Sequence, residues 1–215
     1  MIDIPDEINA IQRKVGERAF GAGEGRTVRV RRSYDAPVDD VWDAITNPDR
    51  ITRWFLPVSG DLRLGGTYQL KGNAHGEILR CEPPRLLKVS WIFGDSSSEV
   101  EVRLSASDGG GTRFELEHAL PLDPEHWGRF GPGAVGVGWD LTVLGLGLHL
   151  RGGAIDDPDE WSRSAEAREL MTLSSRAWGA AHKASGASLQ EATAAMENTR
   201  QAYVGEPGPA ESPDG

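Results

Sequence analysis

The chain has 215 residues, with 33 acidic and 23 basic side chains, a formal net charge of −10 and an isoelectric point near 5.0. A chain of this length can bury one sizeable core, and its acidity excludes sequence-independent binding to nucleic acid or to an anionic membrane, since both need a dense basic face. The single cysteine, Cys81, excludes an internal disulfide framework and is typical of a reducing compartment. We therefore expect a cytoplasmic protein with neither a nucleic acid nor a membrane as its partner.

The N-terminal part combines helical patterns with a first strand. Four apolar residues lie at helical spacing: Ile4, Ile8, Ile11 and Val15. They predict a helix from residue 4 to about 15, and the glycines at 21, 23 and 25 predict a flexible join, so that residues 1–25 form an appendage. Alternation from Thr27 to Tyr34 predicts a half-exposed strand. Two short helices are then predicted in DAPVDDVWDAI and NPDRITRWF, whose prolines suit the first turn of a helix.

Residues 59–118 read as a series of strands separated by glycine and proline turns. Such spacing predicts an antiparallel sheet with one apolar face and one polar face. The apolar face is predicted to comprise Tyr68, Leu70, Leu79, Cys81, Leu87, Val89, Trp91, Phe93, Val100, Val102, Leu104, Phe114, Leu116 and His118. An apolar sheet face must be covered by another element, and the apolar segment after residue 132 is the adequate partner.

That segment, GAVGVGWDLTVLGLGLHL at 133–150, predicts a long helix that is apolar on both sides. Its glycines at 136, 138, 145 and 147 would cost roughly 4 kcal/mol together in a helix interior. Nine large apolar side chains, each worth about 1.5 to 3 kcal/mol when buried, outweigh that cost. We expect the glycines to allow close backbone approach or to leave an internal space. Asp140 and His149 argue against a membrane-spanning helix.

Two amphipathic helices are predicted after the long helix, from Trp161 to about Ala184 and from Ser188 to Tyr203. Ser188 and Glu191 have the spacing of a capping box. The domain organisation predicted from these patterns is a core at 26–150, a helical extension at 155–203 and a disordered tail at 204–215. The terminal helices are expected either to cap the core, where they would cover the second face of the long helix, or to form a homodimer.

The order of the predicted elements resembles that of the START-like, or SRPBCC, superfamily: one strand, two short helices, a strand meander and a long apolar helix. Within it, the matching pieces are similar to the branch named after the activator of the heat-shock-protein-90 ATPase: APVDDVWDAITNPDRITRWF, the Gly65-Gly66 turn, GEILRCEPPRLLKVSW, TRFELEH and Gly138-Trp139. The resemblance covers about residues 26–150. It implies an α+β helix-grip fold, in which a curved antiparallel sheet of about six to seven strands wraps a long helix, with a cavity for an apolar small molecule. The helices predicted at the two ends of the chain lie outside the resemblance and are expected as additions to this fold.

Eight residues are candidates for the lining of that cavity, since ligand pockets are mostly apolar and aromatic with a few polar groups. They are Trp54, Tyr68, Trp91, Phe93, Phe114, His118, Trp139 and Val143. Simple core packing is the alternative, because any sheet under a helix needs such residues.

His118, Glu77 and Asp140 are weak candidates for acid–base chemistry. The alternatives are a histidine hydrogen-bonded inside the core, a carboxylate exposed near a strand end, and an aspartate facing a backbone or arginine partner. Histidines 75, 118, 126, 149 and 182 show no ligand spacing, and GPGAVG at 131–136 lacks the preceding strand of a dinucleotide site. We therefore predict no metal and no cofactor.

The leading functional hypothesis is a cytoplasmic protein that binds an apolar small molecule between the sheet and the long helix. The first alternative is an enzyme of the cyclase or dehydratase type that uses polar residues in the same cavity. The second is a protein that binds a chaperone or regulator through its surface, as the family resemblance implies. Its relatives with that role carry an additional domain, and nothing in this chain resembles it. Binding is favoured over catalysis.

Overall fold

A computed structural model describes residues 2–21 and 23–205. The elements in chain order are α1 (Ile4–Asn9), β1 (Gln12–Phe20), β2 (Gly23–Tyr34), α2 (Val38–Thr46), α3 (Pro48–Ile51), β3 (Val58–Gly60), β4 (Thr67–Leu70), β5 (His75–Glu82), β6 (Leu86–Phe93), β7 (Ser96–Ala106), β8 (Thr112–Pro121), α4 (Pro124–Phe130), α5 (Gly133–Leu150), α6 (Pro158–Trp161), α7 (Ala165–Ala184) and α8 (Leu189–Val204). One antiparallel sheet has the order β1-β2-β8-β7-β6-β5-β4-β3. The predicted α+β helix-grip fold is confirmed, with eight strands where six to seven were expected.

Alternating side chains give the sheet an apolar inner face and a charged outer face. On the central strands, Val30 pairs with Leu116 and both are buried. Their outward neighbours form cross-strand ion pairs, such as Arg31 with Glu115 and Arg29 with Glu117. The inner face therefore turns toward the helices, and the charged ladder faces solvent.

The N-terminal helix is shorter than the sequence predicted. It ends at Asn9, and Gln12–Phe20 forms an edge strand paired with β2 instead of a continued helix and a loose join. Ile11 and Val15 suit either structure, because both are buried at spacings that a helix and a strand can share. Pairing with β2, whose edge would otherwise be open, decides for the strand.

A second difference concerns β5. The register shifts between Ile78 and Arg80, so Ile78 and Cys81 turn inward while Leu79 is 40% exposed. The predicted inward position of Leu79 is wrong because a β-bulge interrupts the two-residue alternation.

Helix α5 lies between the sheet and the C-terminal helices, so both of its faces are covered. Val143 packs with the sheet core, while Leu144 packs with Leu170 of α7. A Cβ on Gly136 would lie 2.3 Å from the Trp178 ring, and one on Gly145 would lie 2.8 Å from a backbone oxygen of Trp54. Of the two roles expected for the glycines, close approach is the one found at these two positions.

By length and composition α5 would pass for a membrane span, but 56% of it is buried inside the protein. Its apolar surface is explained by the packing of sheet and helices on its two sides. The C-terminal helices occupy the predicted region, and α8 begins with the predicted capping box of Ser188 and Glu191. Most of the tail predicted to be disordered, residues 206–215, lies outside the described residues.

Candidate ligand cavity

A cavity of about 200 Å³ lies between the inner face of the sheet, helices α2 and α3, and the middle of α5. Its walls are almost wholly apolar. The aromatic part consists of Trp54, Phe55, Tyr68, Trp91, Phe114 and Trp139, and the aliphatic part includes Ile45, Ile51, Val58, Leu62, Leu70, Ile78, Leu87, Val89, Val100, Val102 and Leu116. Leu62, in the loop after β3, is 37% exposed, so the cavity reaches the surface beside this residue.

Two tryptophans from different elements form one wall. Trp91 of β6 and Trp139 of α5 have ring centroids 5.2 Å apart at an angle of 60°, and Tyr68 of β4 lies 6.5 Å from Trp91. At the other side, the rings of Trp54 and Phe55 stack at 5.6 Å. Tilted and stacked rings at these distances attract one another beyond simple burial. The aromatic wall is therefore a packed assembly rather than a set of loose side chains.

His118 lies behind this wall and does not line the cavity. Its Nδ1 accepts a hydrogen bond from Trp139 Nε1 at 3.1 Å, so its proton is on Nε2, which donates to Ser98 Oγ at 2.8 Å. Ser98 in turn donates to the carbonyl oxygen of Trp91 at 2.9 Å. Burial lowers the pKa of His118 to about 4, which keeps the imidazole neutral at physiological pH. This chain of hydrogen bonds connects Trp139 and Trp91 of the cavity wall.

The predicted lining residues divide into two groups. Five of them line the cavity: Trp54, Tyr68, Trp91, Phe114 and Trp139. Three do not. Phe93 is 59% exposed in the last residue pair before the turn after β6, His118 lies behind Trp139, and Val143 is fully buried on α5.

Glu77 is exposed on the outer face of β5, because Gly76 and Ile78 take the inward positions. The exposed position given as the alternative for its carboxylate is the one found, since the two-residue count from Cys81 to Glu77 crosses the β-bulge. Glu77 therefore cannot reach a molecule in the cavity.

Asp140 is fully buried on the side of α5 that faces away from the cavity. Its Oδ2 accepts hydrogen bonds from Arg13 Nε at 2.9 Å, Ser174 Oγ at 2.5 Å and Trp178 Nε1 at 3.2 Å. Burial raises the pKa of Asp140 to about 6, against the opposing effect of Arg13 and the other donors. This buried cluster joins β1, α5 and α7. The arginine alternative foreseen for Asp140 is the one found.

Several lining residues were missed as site residues. Ile45, Ile51 and Phe55 belong to the segments of the two predicted short helices, and nothing in their spacing separates a cavity wall from ordinary core. Leu62 and Val58 lie in or beside a loop, where no periodic pattern exists. Their position depends on how the β3–β4 segment closes over the sheet.

The sequence profile of the family described as "Activator of Hsp90 ATPase homolog 1-like protein" matches residues 35–145. The chain belongs to this family. The match covers the elements that enclose most of the cavity, from α2 to the middle of α5.

Two structures extend the comparison. The chain is similar to the crystal structure of CalU16 from Micromonospora echinospora, with 43% sequence identity, 80% of this chain and 98% of that chain covered, and a TM-score of 0.64. It is also similar to DynU16, a protein of the dynemicin biosynthetic locus, with 26% identity, 58% of this chain and 47% of that chain covered, and a TM-score of 0.53. The share covered by CalU16 is larger than residues 26–150 alone. Among curated proteins, no match was found.

Proposed function

We propose that this protein binds an apolar small molecule in the cavity between the sheet and α5. The observation that carries the proposal is a space of about 200 Å³ with aromatic and aliphatic walls inside an otherwise closely packed core. An apolar cavity of about 150 Å³ is large enough to bind benzene.

The comparisons support a small molecule as the partner. The family relationship places the chain among helix-grip proteins. DynU16 belongs to a biosynthetic locus, which favours a biosynthetic product or intermediate as the kind of molecule bound. The unpaired thiol of Cys81 in the cavity wall supports action in the reducing cytoplasm.

Binding is better supported than a cyclase or dehydratase activity. Acid–base catalysis needs polar groups that converge on one reacting molecule. His118 is separated from the cavity by Trp139, Glu77 lies on the outer face, and Asp140 lies on the far side of α5. None of these three predicted candidates meets another in the cavity.

A role with a chaperone or regulator rests on the family description. The terminal helices pack on the core: α7 and α8 cover the back of α5, and α1 packs against α7. This packing supports the capping alternative over a homodimer.

The experiment is a binding titration with naphthalene, followed by tryptophan fluorescence and by calorimetry. Val89 lines the cavity, and Val89→Phe is expected to weaken binding at least tenfold because the larger ring fills the space. Leu79→Phe adds a ring on the exposed face of the neighbouring strand and is the matched control, with unchanged affinity expected. No binding by the wild type, or equal binding by Val89→Phe, would reject the proposal.

A further inference from the structure

Five of the six side chains in the cavity wall that carry an N–H or O–H group donate it to another protein atom. The six are Trp54, Trp91, Trp139, Tyr68, Thr46 and Thr142. Trp54 Nε1 donates to the carbonyl oxygen of Ala44 at 3.0 Å, and Trp139 Nε1 donates to Nδ1 of His118 at 3.1 Å. The hydroxyls of Tyr68, Thr46 and Thr142 donate to the carbonyl oxygens of Ser90 at 2.8 Å, Trp42 at 2.7 Å and Gly138 at 2.8 Å, in that order. The indole N–H of Trp91 is left as the one strong donor among the lining side chains that the structure describes, and the thiol of Cys81 is a weak donor.

The wall also lacks positive charge. Within the part of the chain that the structure describes, no lysine, arginine or histidine lines the cavity. Burial raises the pKa of Tyr68, so its phenol stays protonated and its hydrogen stays committed to Ser90. An anionic group held inside the cavity would therefore lose its water and find no cation in exchange, with the single indole N–H of Trp91 as its strong donor.

The hydroxyl oxygens of the cavity wall can accept hydrogen bonds from a ligand. A hydroxyl oxygen that donates its hydrogen keeps acceptor capacity, which applies to Tyr68, Thr46 and Thr142. A neutral ligand hydroxyl can therefore be accommodated better than a carboxylate or a phosphate. The tilted rings of Trp91 and Trp139 favour a flat ring that meets them edge to face or offset. A volume of about 200 Å³ is on the scale of two fused rings, by comparison with the benzene cavity.

We propose that the cavity selects neutral aromatic ligands and that it rejects ligand anions. This inference rests on the proposed function and specifies its ligand class. Ligands that would hold an anionic group inside the cavity are excluded by the lack of a cation in its wall.

The test compares three ligands with the same ring system at pH 7.5: naphthalene, 2-naphthol and 2-naphthoate. Naphthalene and 2-naphthol are expected to bind, and the carboxylate is expected to bind at least tenfold more weakly than 2-naphthol. A difference of less than tenfold overturns the selection against anions while leaving the proposed function intact. Failure of all three to bind overturns both. Loss of the measured binding in Val89→Phe, with retention in Leu79→Phe, assigns the binding to this cavity.

A second pair separates the ring from the polar group. Decanol and decanoate differ in the same way as 2-naphthol and 2-naphthoate but are aliphatic. We expect 2-naphthol to bind more tightly than decanol, because the wall is rich in aromatic rings. Tighter binding of decanol would overturn the aromatic part of the inference, and tighter binding of decanoate than of decanol would overturn the selection against anions.

Discussion

Replacement of His118 by leucine tests whether this residue is a buried neutral support of the cavity wall. In His118→Leu, Trp139 Nε1–H loses its acceptor and Ser98 Oγ loses one donor, both in a buried place. One orphaned donor costs about 1 to 3 kcal/mol, and the loss at Ser98 adds less because its own bond to Trp91 remains. We expect a total loss of about 2 to 3 kcal/mol in the free energy of unfolding at pH 7.5.

The pH dependence makes this prediction specific. The pKa of His118 is lowered in the folded state from 6.5 to about 4. The stability it contributes is therefore fully present above pH 6.5 and is lost as the pH falls through 4, because the unfolded chain binds the proton first. At pH 5 the wild type should have lost about 2 kcal/mol through this residue, and the leucine variant nothing. The difference between the two proteins should shrink by about that amount.

Urea unfolding at pH 7.5 and pH 5, followed by far-ultraviolet circular dichroism, measures the two differences. His75→Leu, at an exposed position on β5, is the control and should show no such convergence with the wild type. A His118→Leu penalty that is the same at both pH values would refute a buried, neutral His118. In the same variant, weaker naphthalene binding at pH 7.5 would show that His118 positions the tryptophans.

Two further predictions concern α5. Arg13→Leu should lower the free energy of unfolding by about 3 to 5 kcal/mol at pH 8, because it leaves the buried Asp140 carboxylate without its cation. The loss should be clearly smaller at pH 5, where Asp140 can take up a proton. Equal losses in urea unfolding at the two pH values would contradict this. Gly136→Ala should destabilise by about 1 to 3 kcal/mol, because its Cβ would collide with the Trp178 ring. Gly138→Ala has room and should stabilise by up to about 1 kcal/mol, so thermal unfolding should move the two variants in opposite directions.

The sequence was most informative where a single period runs through a whole element. The inner face of β7 and β8 and both faces of α5 follow from alternation and helical spacing, because each is buried along its length. Prediction failed where tertiary contacts override local spacing. The strand at Gln12–Phe20 depends on the open edge of β2, and the exposure of Leu79 depends on one bulged residue in β5.

In the candidate site, too, burial was predicted from the sequence, whereas the contacts between side chains were not. The alternation correctly predicted that His118 turns inward. It could not predict that Trp139 lies between His118 and the cavity and donates a hydrogen bond to His118 Nδ1. An arginine partner was one alternative for Asp140, but Arg13 was assigned to a helix and could not be matched to it. A one-dimensional pattern identifies which side chains are buried. It does not identify which of them meet a void and which meet one another.

His118 and Asp140 should give the unfolding free energy opposite pH dependences, and this is the most direct check that both are buried as described. Asp140 has a folded pKa raised from 3.8 to about 6, so the stability it contributes is fully present below 3.8 and is lost as the pH rises through 6. The stability that His118 contributes is lost in the opposite direction, as the pH falls from 6.5 to 4. Each change amounts to about 3 kcal/mol, so the two nearly cancel in the wild type.

Single substitutions should therefore reveal slopes of the unfolding free energy against pH that nearly cancel in the wild type. Between pH 4 and 6.5, Asp140→Asn should become more stable relative to the wild type as the pH rises, and His118→Leu should become less stable. The double variant should again run parallel to the wild type, whatever its lower absolute stability. Asp140→Asn leaves Arg13 without its counter-charge and will lower stability overall, which is why the slope and not the midpoint is the measurement. Parallel curves for all four proteins would mean that water reaches both groups and that the core around α5 is looser than its packing indicates.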